Sequence, residues 1–451
     1  MAQEKYTEPT KSVAESFKEI LEDEPKLVTN YVPEKQSAIS QKSAFLAGEI
    51  RNPDHVYDKL DAIDFDQAAR HIQQVGDDIL KNPNLDPKHR QVYEQFVTGY
   101  LSKTHLMELA RDYKHETDAD KKAAIKEAYM DLNIELYGKP DEATYRSLLQ
   151  EKLDRIDQKQ LSGNALTIRD ELAGILDYTP SSEKRERFAP SSDTVEWMHT
   201  VAESLYGGML NHVPDNETFS PEEVQTIFSE IIEQEFGEAA AEWHVDIEPA
   251  KSINVKTAEK RIVIPEDRAT ISQAALKGLV VHEIGVHMLR SVNGYETDLM
   301  PLATGLNDYY DSEEGLGVVM EQALSGKFKE SGTEPYLTAG LAYYDKKDFR
   351  DTFEAKWRLT VLASATPDTE ITEEAIAKAK NTAYSSVMRS MRGTDELPWF
   401  KDLAYYNGVM AVWQHLESIK GDDLKFTFVL MGKADSANKE HERILLETRT
   451  V

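Results

Sequence analysis

The sequence predicts an α+β protein that is predominantly α-helical and carries one small antiparallel β-sheet. Apolar residues recur at intervals of three and four through much of the chain, as in residues 93–113 and 128–137, which is the helical period. β-Branched residues are concentrated in the short segments HVDIE, SINV and RIVIP, between His244 and Pro265. The last two flank the turn-like KTAEK, which predicts an antiparallel unit.

The composition of the 451 residues excludes several classes of protein and of site. With 40% hydrophobic residues the chain can bury a globular core, and without cysteine any metal must be held by His, Asp or Glu. A formal charge of −29 disfavours partners with phosphate backbones or anionic lipid surfaces. The sequence has no secretory signal and no apolar run near the roughly 18 residues of a membrane span, so we expect a cytoplasmic protein.

Shifts in composition divide the chain into three parts. Residues 1–41 mix Lys, Glu, Ser and Pro and predict an amino-terminal tail. Residues 42–190 form a predicted helical subdomain, and residues 191–451 form the second, larger part. Near the boundary, residues 179–194 are rich in Pro, Ser and charge, which is typical of a linker or an exposed loop.

A long helix is predicted directly after the strands. Thr270 and Gln273 have the spacing of a capping box at its start, and Asn293-Gly294 would provide a left-handed stop. The helix would therefore have about six turns at roughly 3.6 residues per turn.

This helix contains the segment HEIGVH, in which His282 and His287 are five positions apart. In a regular α-helix they would point about 140° apart, too far to share one ion. A π-bulge would bring both onto one face, and Gly285 between them would ease that distortion. Taken alone, the pair is equally compatible with histidines that bind no metal.

A second helix follows, with Asp311 or Ser312 as its predicted N-cap and Ser325-Gly326 at its end. Glu313 and Glu314 lie in its first turn, where they either complement the helix dipole or supply the third ligand that a zinc site requires. Many zinc peptidases have this order of strands, long helix and second helix. The sequence thus predicts a zincin-like part with two metal-bearing helices.

The segments HEIGVHMLRSVNG and EEGLG together resemble the HExxxH and EEGLA or QEGLA motifs of the tyrosine carboxypeptidase family. This family includes the microtubule-associated tyrosine carboxypeptidases and bacterial QEGLA-motif proteins. Residues 52–60, 136–140 and 389–408 also resemble the family, in the same order, so the resemblance covers roughly residues 40–430. Gly317 stands where the motif commonly has Ala, a tolerable change that could loosen the helix.

The resemblance implies an enzyme, a metallocarboxypeptidase with one Zn²⁺ ion held by His282, His287 and Glu314. Glu283 is then the general base, and Glu313 supports a ligand or lies at the surface. Known members of the family remove a C-terminal tyrosine from protein tails. The expected partners are C-terminal tails of peptides or proteins that end in tyrosine or another aromatic residue.

A carboxypeptidase also needs fixed positive charge for the terminal carboxylate of its substrate. Arg389, Arg392 and Lys401 lie in a stretch that resembles the family, and we prefer Arg392 with Lys401 as the clamp, although each could form an ordinary surface ion pair. Tyr405 or Tyr406 could donate to the developing oxyanion, unless both only pack. We choose Tyr405.

The sheet and the net charge give two further expectations about the substrate. An exposed sheet edge, near Ser252–Val255 or Arg261–Ile264, could pair with an extended tail or could have no partner. Because the chain is strongly acidic, we expect a tail less acidic than that of tubulin.

Three other functions compete with that of a carboxypeptidase. A zinc aminopeptidase, or a zinc hydrolase of another bond, would use the same ligands with an acidic subsite. A non-catalytic interaction protein would retain the fold, although the intact Glu283 argues against it. A di-iron bundle would need an ExxH motif on each of two helices, and the sequence does not have two such motifs.

Overall fold

The computed structural model describes residues 12–23, 31–176, 187–250, 252–367, 370–392 and 395–448. It is 68% helical with a small β-sheet, which confirms the predicted fold class. In the described part, the helices are all too short or too polar to cross a lipid bilayer. Parts of the predicted tail and of the predicted linker, residues 1–11, 24–30 and 179–186, lie outside the described residues.

The secondary-structure elements described before residue 177 are all helices. Three of these helices start at aspartates, since Asp64, Asp118 and Asp141 each accept a hydrogen bond from a backbone N–H three residues later. The helices are α1 (Val13–Asp23), α2 (Lys35–Leu46), α3 (Asp58–Asp61), α4 (Phe65–Lys81), α5 (Arg90–His115), α6 (Ala119–Tyr137), α7 (Glu142–Asp157) and α8 (Gly163–Leu176).

The rest of the chain contains the strands and the remaining helices. The strands are β1 (Thr218–Phe219), β2 (His244–Glu248), β3 (Asn254–Lys256), β4 (Arg261–Pro265) and β5 (Ile271–Ser272). The helices are α9 (Ser192–Asn211), α10 (Pro221–Ile231), α11 (Gln273–Leu279), α12 (Leu289–Tyr295), α13 (Pro301–Thr304), α14 (Tyr310–Leu324), α15 (Thr333–Tyr343), α16 (Phe349–Ser364), α17 (Glu373–Met391), α18 (Ala404–Ser418), α19 (Asp423–Val429) and α20 (Lys439–Thr448). Two π-helical segments, Ile232–Phe236 and Val280–Met288, continue α10 and α11, and the two 3₁₀ turns are Gly237–Ala240 and Phe400–Leu403.

The three-stranded sheet has the order β2-β4-β3. β3 and β4 pair antiparallel, with Asn254 opposite Val263, so the predicted hairpin is confirmed. β2 instead lies parallel to β4, with His244 opposite Arg261, because the chain reverses direction once before β3 and again after it. Since β4 is paired on both sides, the expectation that Arg261–Ile264 could be an exposed edge is wrong. β4 is the central strand of this sheet, and β2 and β3 are its two outer strands.

The start and end of the long helix differ from the predictions. α11 begins after Ser272, whose hydroxyl accepts a hydrogen bond from the N–H of Ala275, because Ile271–Ser272 is already paired with β1. The Thr270–Gln273 box is therefore not its cap. The helix then runs through Gly294 to Tyr295 without a left-handed stop. A Cβ atom at Gly294 would lie 2.3 Å from the carbonyl oxygen of Leu302, so this glycine allows close packing.

The second predicted helix, α14, is present with a different start. Its N-cap is Tyr309 rather than Asp311 or Ser312, and it ends as predicted, with Ser325 as its C-cap and Gly326 in the left-handed region. α14 crosses α18 at backbone contact distance, since a Cβ atom at Gly315 would lie 2.2 Å from the carbonyl carbon of Gly408. This crossing brings the start of α14 close to the start of α18.

Apolar side chains form several buried clusters in the described chain. The largest joins α9, α10, the sheet, the long helix, α14 and α18. Three smaller clusters each combine residues from before and after residue 190, as where Phe45 packs on Phe349 and Phe353. The boundary predicted at residue 190 stays a prediction, and apolar packing crosses it.

Candidate active site

The long helix is π-helical from Val280 to Met288, which is the local widening that the five-residue spacing predicts. The ring centroids of His282 and His287 lie 4.7 Å apart. One ligand atom from each ring and one from Glu314 all lie within 4.8 Å of one another. Among the residues that the structure describes, these three form the group that could hold a metal ion.

Gly285 allows another side chain to approach the widened turn. A Cβ atom at this position would lie 2.6 Å from a ring carbon of Tyr206, which is fully buried. The hydroxyl of Tyr206 donates a hydrogen bond to the carbonyl oxygen of Gly285 at 3.2 Å. Gly285 therefore leaves room for the ring of Tyr206, in addition to its predicted role of easing the widening of the helix.

Two carboxylates orient the two imidazole rings. Nδ1 of His282 lies 2.5 Å from Oε1 of Glu321, and Nδ1 of His287 lies 2.7 Å from Oε1 of Glu313. When Nδ1 donates to a carboxylate, Nε2 is the nitrogen left to bind a cation, which displaces any proton held there. Burial opposes the charge on His282, but the Glu321 carboxylate and Glu283 together raise the pKa of this ring to about 9.

Glu313 is the centre of a buried ion cluster under His287. Burial disfavours its charge, but Lys433 and Arg290 hold the pKa of this carboxyl well below its usual range, and each of them bonds directly to it. The side chain of Glu313 is 3% exposed. Of the two roles expected for Glu313, the structure places it beneath a histidine rather than at the surface.

Glu314 and Glu283 face the histidines with opposite shifts in pKa. Burial acts against the charge of Glu314, but His287, Lys401 and His282 lower the pKa of this carboxyl. Burial raises the pKa of Glu283, and the two histidines only partly offset this. A carboxyl with a raised pKa beside two imidazoles is suited to taking up a proton and releasing it.

The histidines and both glutamates line a cleft of about 770 Å³. The rest of its lining comes from β3 and the residues before it, from α17 with the segment after it, and from residues near the amino terminus. These lining residues include Tyr31, His55, Tyr57, Ser252, Asn254, Tyr384, Arg389, Arg392, Trp399, Lys401 and Tyr405.

The three predicted clamp residues all line the cleft, but their surroundings differ. Arg389 forms a two-bond ion pair with Asp402, at 2.5 and 2.9 Å. Arg392 donates to the backbone oxygen of Tyr31 at 3.2 Å and packs on the ring of Trp399, and no carboxylate of the described chain forms an ion pair with it.

Lys401 is also without an ion pair among the described residues, and its ammonium lies 3.7 Å from the ring centroid of Tyr310, whose hydroxyl it contacts. Burial lowers the pKa of Lys401 to about 8, although Glu314 and Asp402 act to raise it. Both Arg392 and Lys401 therefore keep a positive charge available within the cleft.

The adjacent tyrosines point in different directions. Tyr405 lines the cleft, and its hydroxyl lies 3.3 Å from Nη2 of Arg389. Tyr406 instead bonds to Glu330 at 3.4 Å and packs on Tyr336, with ring centroids 4.7 Å apart. Of the two, Tyr405 faces the cleft.

Some residues of the site do not emerge from the sequence analysis. Glu321 is four residues after Gly317 and eight after Glu313, so the spacing on one face of α14 could have indicated it. Tyr31, Tyr57 and Lys433 reach the cleft through contacts between distant parts of the chain, which no local pattern reports.

Comparison with known proteins identifies a family that part of this chain resembles. Residues 191–331 match the model of a family described as microtubule-associated tyrosine carboxypeptidase. The matched segment, less than a third of the chain, runs from the start of α9 past the end of α14 and so contains both helices that bear the histidines and glutamates. No curated protein and no solved structure matches the chain.

Proposed function

Through residues 191–331 the chain belongs to the tyrosine carboxypeptidase family, and from this premise we propose that it is a zinc-dependent carboxypeptidase. It removes one C-terminal residue, tyrosine or another aromatic, from peptide or protein tails. The proposal depends above all on the convergence of His282, His287 and Glu314 beside the buried Glu283.

The donor set fits one Zn²⁺ ion. Two imidazoles and one carboxylate are a common ligand set of catalytic zinc sites, and they leave a fourth position for water. An ion held there would act as a Lewis acid and lower the pKa of that water. The ring orientations set by Glu313 and Glu321 support the assignment of both histidines as ligands.

Glu283 is the proposed general base. It accepts a proton from the attacking water and passes it to the leaving amine, and its raised pKa suits both steps. Tyr405 is the proposed donor to the oxyanion that forms at the scissile carbonyl, because this residue lines the cleft.

The terminal carboxylate of the substrate would be bound by Arg392 and Lys401. Arg392 offers a planar fork and Lys401 a point charge, and neither is paired with a carboxylate of the described chain. Arg389 is a weaker choice, because Asp402 already occupies its guanidinium. Its proposed role is to hold Tyr405 in place.

The tail that precedes the terminal residue would pair with the exposed edge of β3. Ser252 and Asn254 line the cleft, and β3 is an outer strand of its sheet. A proline at one edge position should raise KM and leave the zinc content unchanged. An unchanged KM would count against tail binding at this edge.

The acidity of the preferred tail is a separate proposal. A net charge of −29 repels acidic tails at long range, so we retain the expectation of a less acidic substrate. The cations of the cleft act in the opposite direction at short range. Rates measured on acidic and neutral peptides over a range of salt concentrations separate the two effects, and faster cleavage of the acidic peptide at low salt would overturn the expectation.

The carboxypeptidase is tested by metal analysis of the purified protein and by mass spectrometry of peptides ending in Tyr, Phe, Leu or Lys. We expect loss of a single C-terminal residue, no cleavage of the C-terminally amidated peptide, and no activity in Glu283→Gln. Removal of N-terminal residues would instead indicate an aminopeptidase. Bound metal without any cleavage would favour a non-catalytic interaction protein.

A further inference from the structure

We infer that Glu321 is a positioning residue that fixes the ring of His282 for metal binding, and that Gly317 provides the space in which this ring lies. The inference rests on the metal site proposed above. It assigns a task to the far end of α14, beyond the motif that carries Glu313 and Glu314.

The contact between Glu321 and His282 determines which nitrogen of the ring can bind a cation. The carboxylate lies 2.5 Å from Nδ1, so this nitrogen donates to it, and Nε2 is the nitrogen left to bind a cation, which displaces the proton there. Without the carboxylate the ring could exchange its tautomer or rotate about its side-chain bonds. Either change would separate Nε2 from the ligand atoms of His287 and Glu314.

The ring of His282 packs against Gly317 of α14. A Cβ atom on this glycine would lie 2.7 Å from Cε1 of His282, 2.8 Å from Nε2 and 2.9 Å from Nδ1. The ring therefore rests on bare helix backbone. The expectation that glycine at this position mainly loosens the helix overlooks this contact.

Glu313, Gly317 and Glu321 are spaced by four residues and so follow one face of α14. Glu313 bonds to Nδ1 of His287, Gly317 packs against the ring of His282, and Glu321 bonds to Nδ1 of His282. One helix, α14, thus contacts both rings of the π-helical segment and also contains Glu314.

Glu321 can be changed without disturbing the buried core. Its side chain is 41% exposed, in contrast to the 3% of Glu313. Glu203 offers a matched control, because it is an exposed helical glutamate whose carboxylate lies 3.5 Å from Nε2 of His199, away from the cleft.

The experiment measures the Zn²⁺ Kd of the full chain by competition with a chelator. Loss of an outer carboxylate at a metal-bound histidine typically weakens binding about 10–100-fold, and we expect Glu321→Ala to fall in that range. Glu321→Gln should lie between Glu321→Ala and the wild type, since its amide oxygen can still accept from Nδ1. Glu203→Ala should bind zinc like the wild type.

Two further measurements separate positioning from a general loss of structure. Thermal unfolding of the metal-free Glu321 variants should match that of the wild type, and the visible spectrum of the Co²⁺-loaded Glu321→Gln variant should be shifted. A wild-type Kd and an unshifted spectrum in this variant would overturn the inference. A wild-type protein that binds no zinc would instead overturn the proposed function on which it rests.

Discussion

The two sides of the cleft are built in different ways. The metal wall, formed by Val280–Met288 and α14, comes from a short stretch of chain inside the matched segment 191–331. The recognition wall, formed by residues 31–57 and 384–405, lies wholly outside that segment. The family match therefore covers the helices that bear the histidines and glutamates, whereas the residues of the recognition wall lie in other parts of the chain.

Charge is also distributed differently on the two walls. On the metal wall Glu313 bonds to both Arg290 and Lys433, so the buried charges have partners. On the recognition wall Arg392 has no ion-pair partner among the carboxylates of the described chain, although a buried Nε without a hydrogen-bond partner among the described residues occurs in both Arg392 and Arg290. Ion-paired groups preorganise a site, and a cation without an ion-pair partner can bind an anionic ligand. Changes to the metal wall should therefore alter kcat or metal content, and changes to the recognition wall should alter KM.

The largest effect is expected for Glu283→Gln on the metal wall. Loss of a general base lowers kcat by a factor on the order of 10² to 10⁴, and the amide is close in size to the carboxyl that it replaces. Zinc content and KM should stay near the wild-type values, as measured by metal analysis and steady-state kinetics. A variant that keeps wild-type kcat would remove Glu283 from the mechanism.

Glu313→Gln should mainly affect folding and metal binding. It leaves Lys433 and Arg290 buried without their anion, and breaking a buried ion pair costs about 3–5 kcal/mol. Urea unfolding of the metal-free variant measures this loss, with Glu321→Gln as the exposed control. Equal unfolding free energies for the two variants would show that the ion cluster does not stabilise the fold.

The same division explains what the sequence could predict. His282, His287 and Glu314 lie in two local motifs, and a gap of five residues is itself evidence for a widened helix, so the metal wall follows from spacing. The ends of the long helix do not follow from spacing. Strand pairing at Ile271–Ser272 and backbone packing at Gly294 override the local capping pattern there.

Contacts between residues distant in the chain were beyond the sequence analysis. The meeting of Tyr31 with Arg392 joins residues far apart in the chain, and only the packed clusters bring them together. Charge type and the resemblance to the family identify the clamp residues, so the sequence can predict that they lie near the cleft. It cannot predict that Arg389 pairs with Asp402 whereas Arg392 donates to Tyr31.

On the recognition wall, Arg392→Ala should raise KM about 10–100-fold, because a hydrogen bond to a charged group contributes roughly 1.5–3 kcal/mol. kcat at saturation should change little. Arg389→Ala is the matched control, and its KM should rise less because Asp402 already binds that guanidinium. A larger effect at Arg389 would reverse the assignment of the two arginines.

The titration of Lys401 should have a smaller effect on KM. Burial lowers the pKa of this lysine to about 8. The amine is charged below this pH and neutral above it, while the terminal carboxylate of a peptide, with a pKa of roughly 3.5, is ionised throughout. KM should therefore rise as the pH increases through about 8, by a factor of roughly three to ten for one weakened charged contact.

Steady-state kinetics between pH 6.5 and 9.5 measure this rise, and Lys401→Arg is the control. Its guanidinium stays charged to a pH above about 12, so its KM should remain flat across the window. The same rise in Lys401→Arg would assign the titration to another group. A flat wild-type profile would instead mean that Lys401 serves the metal wall through Tyr310, and that Arg392 binds the carboxylate without it.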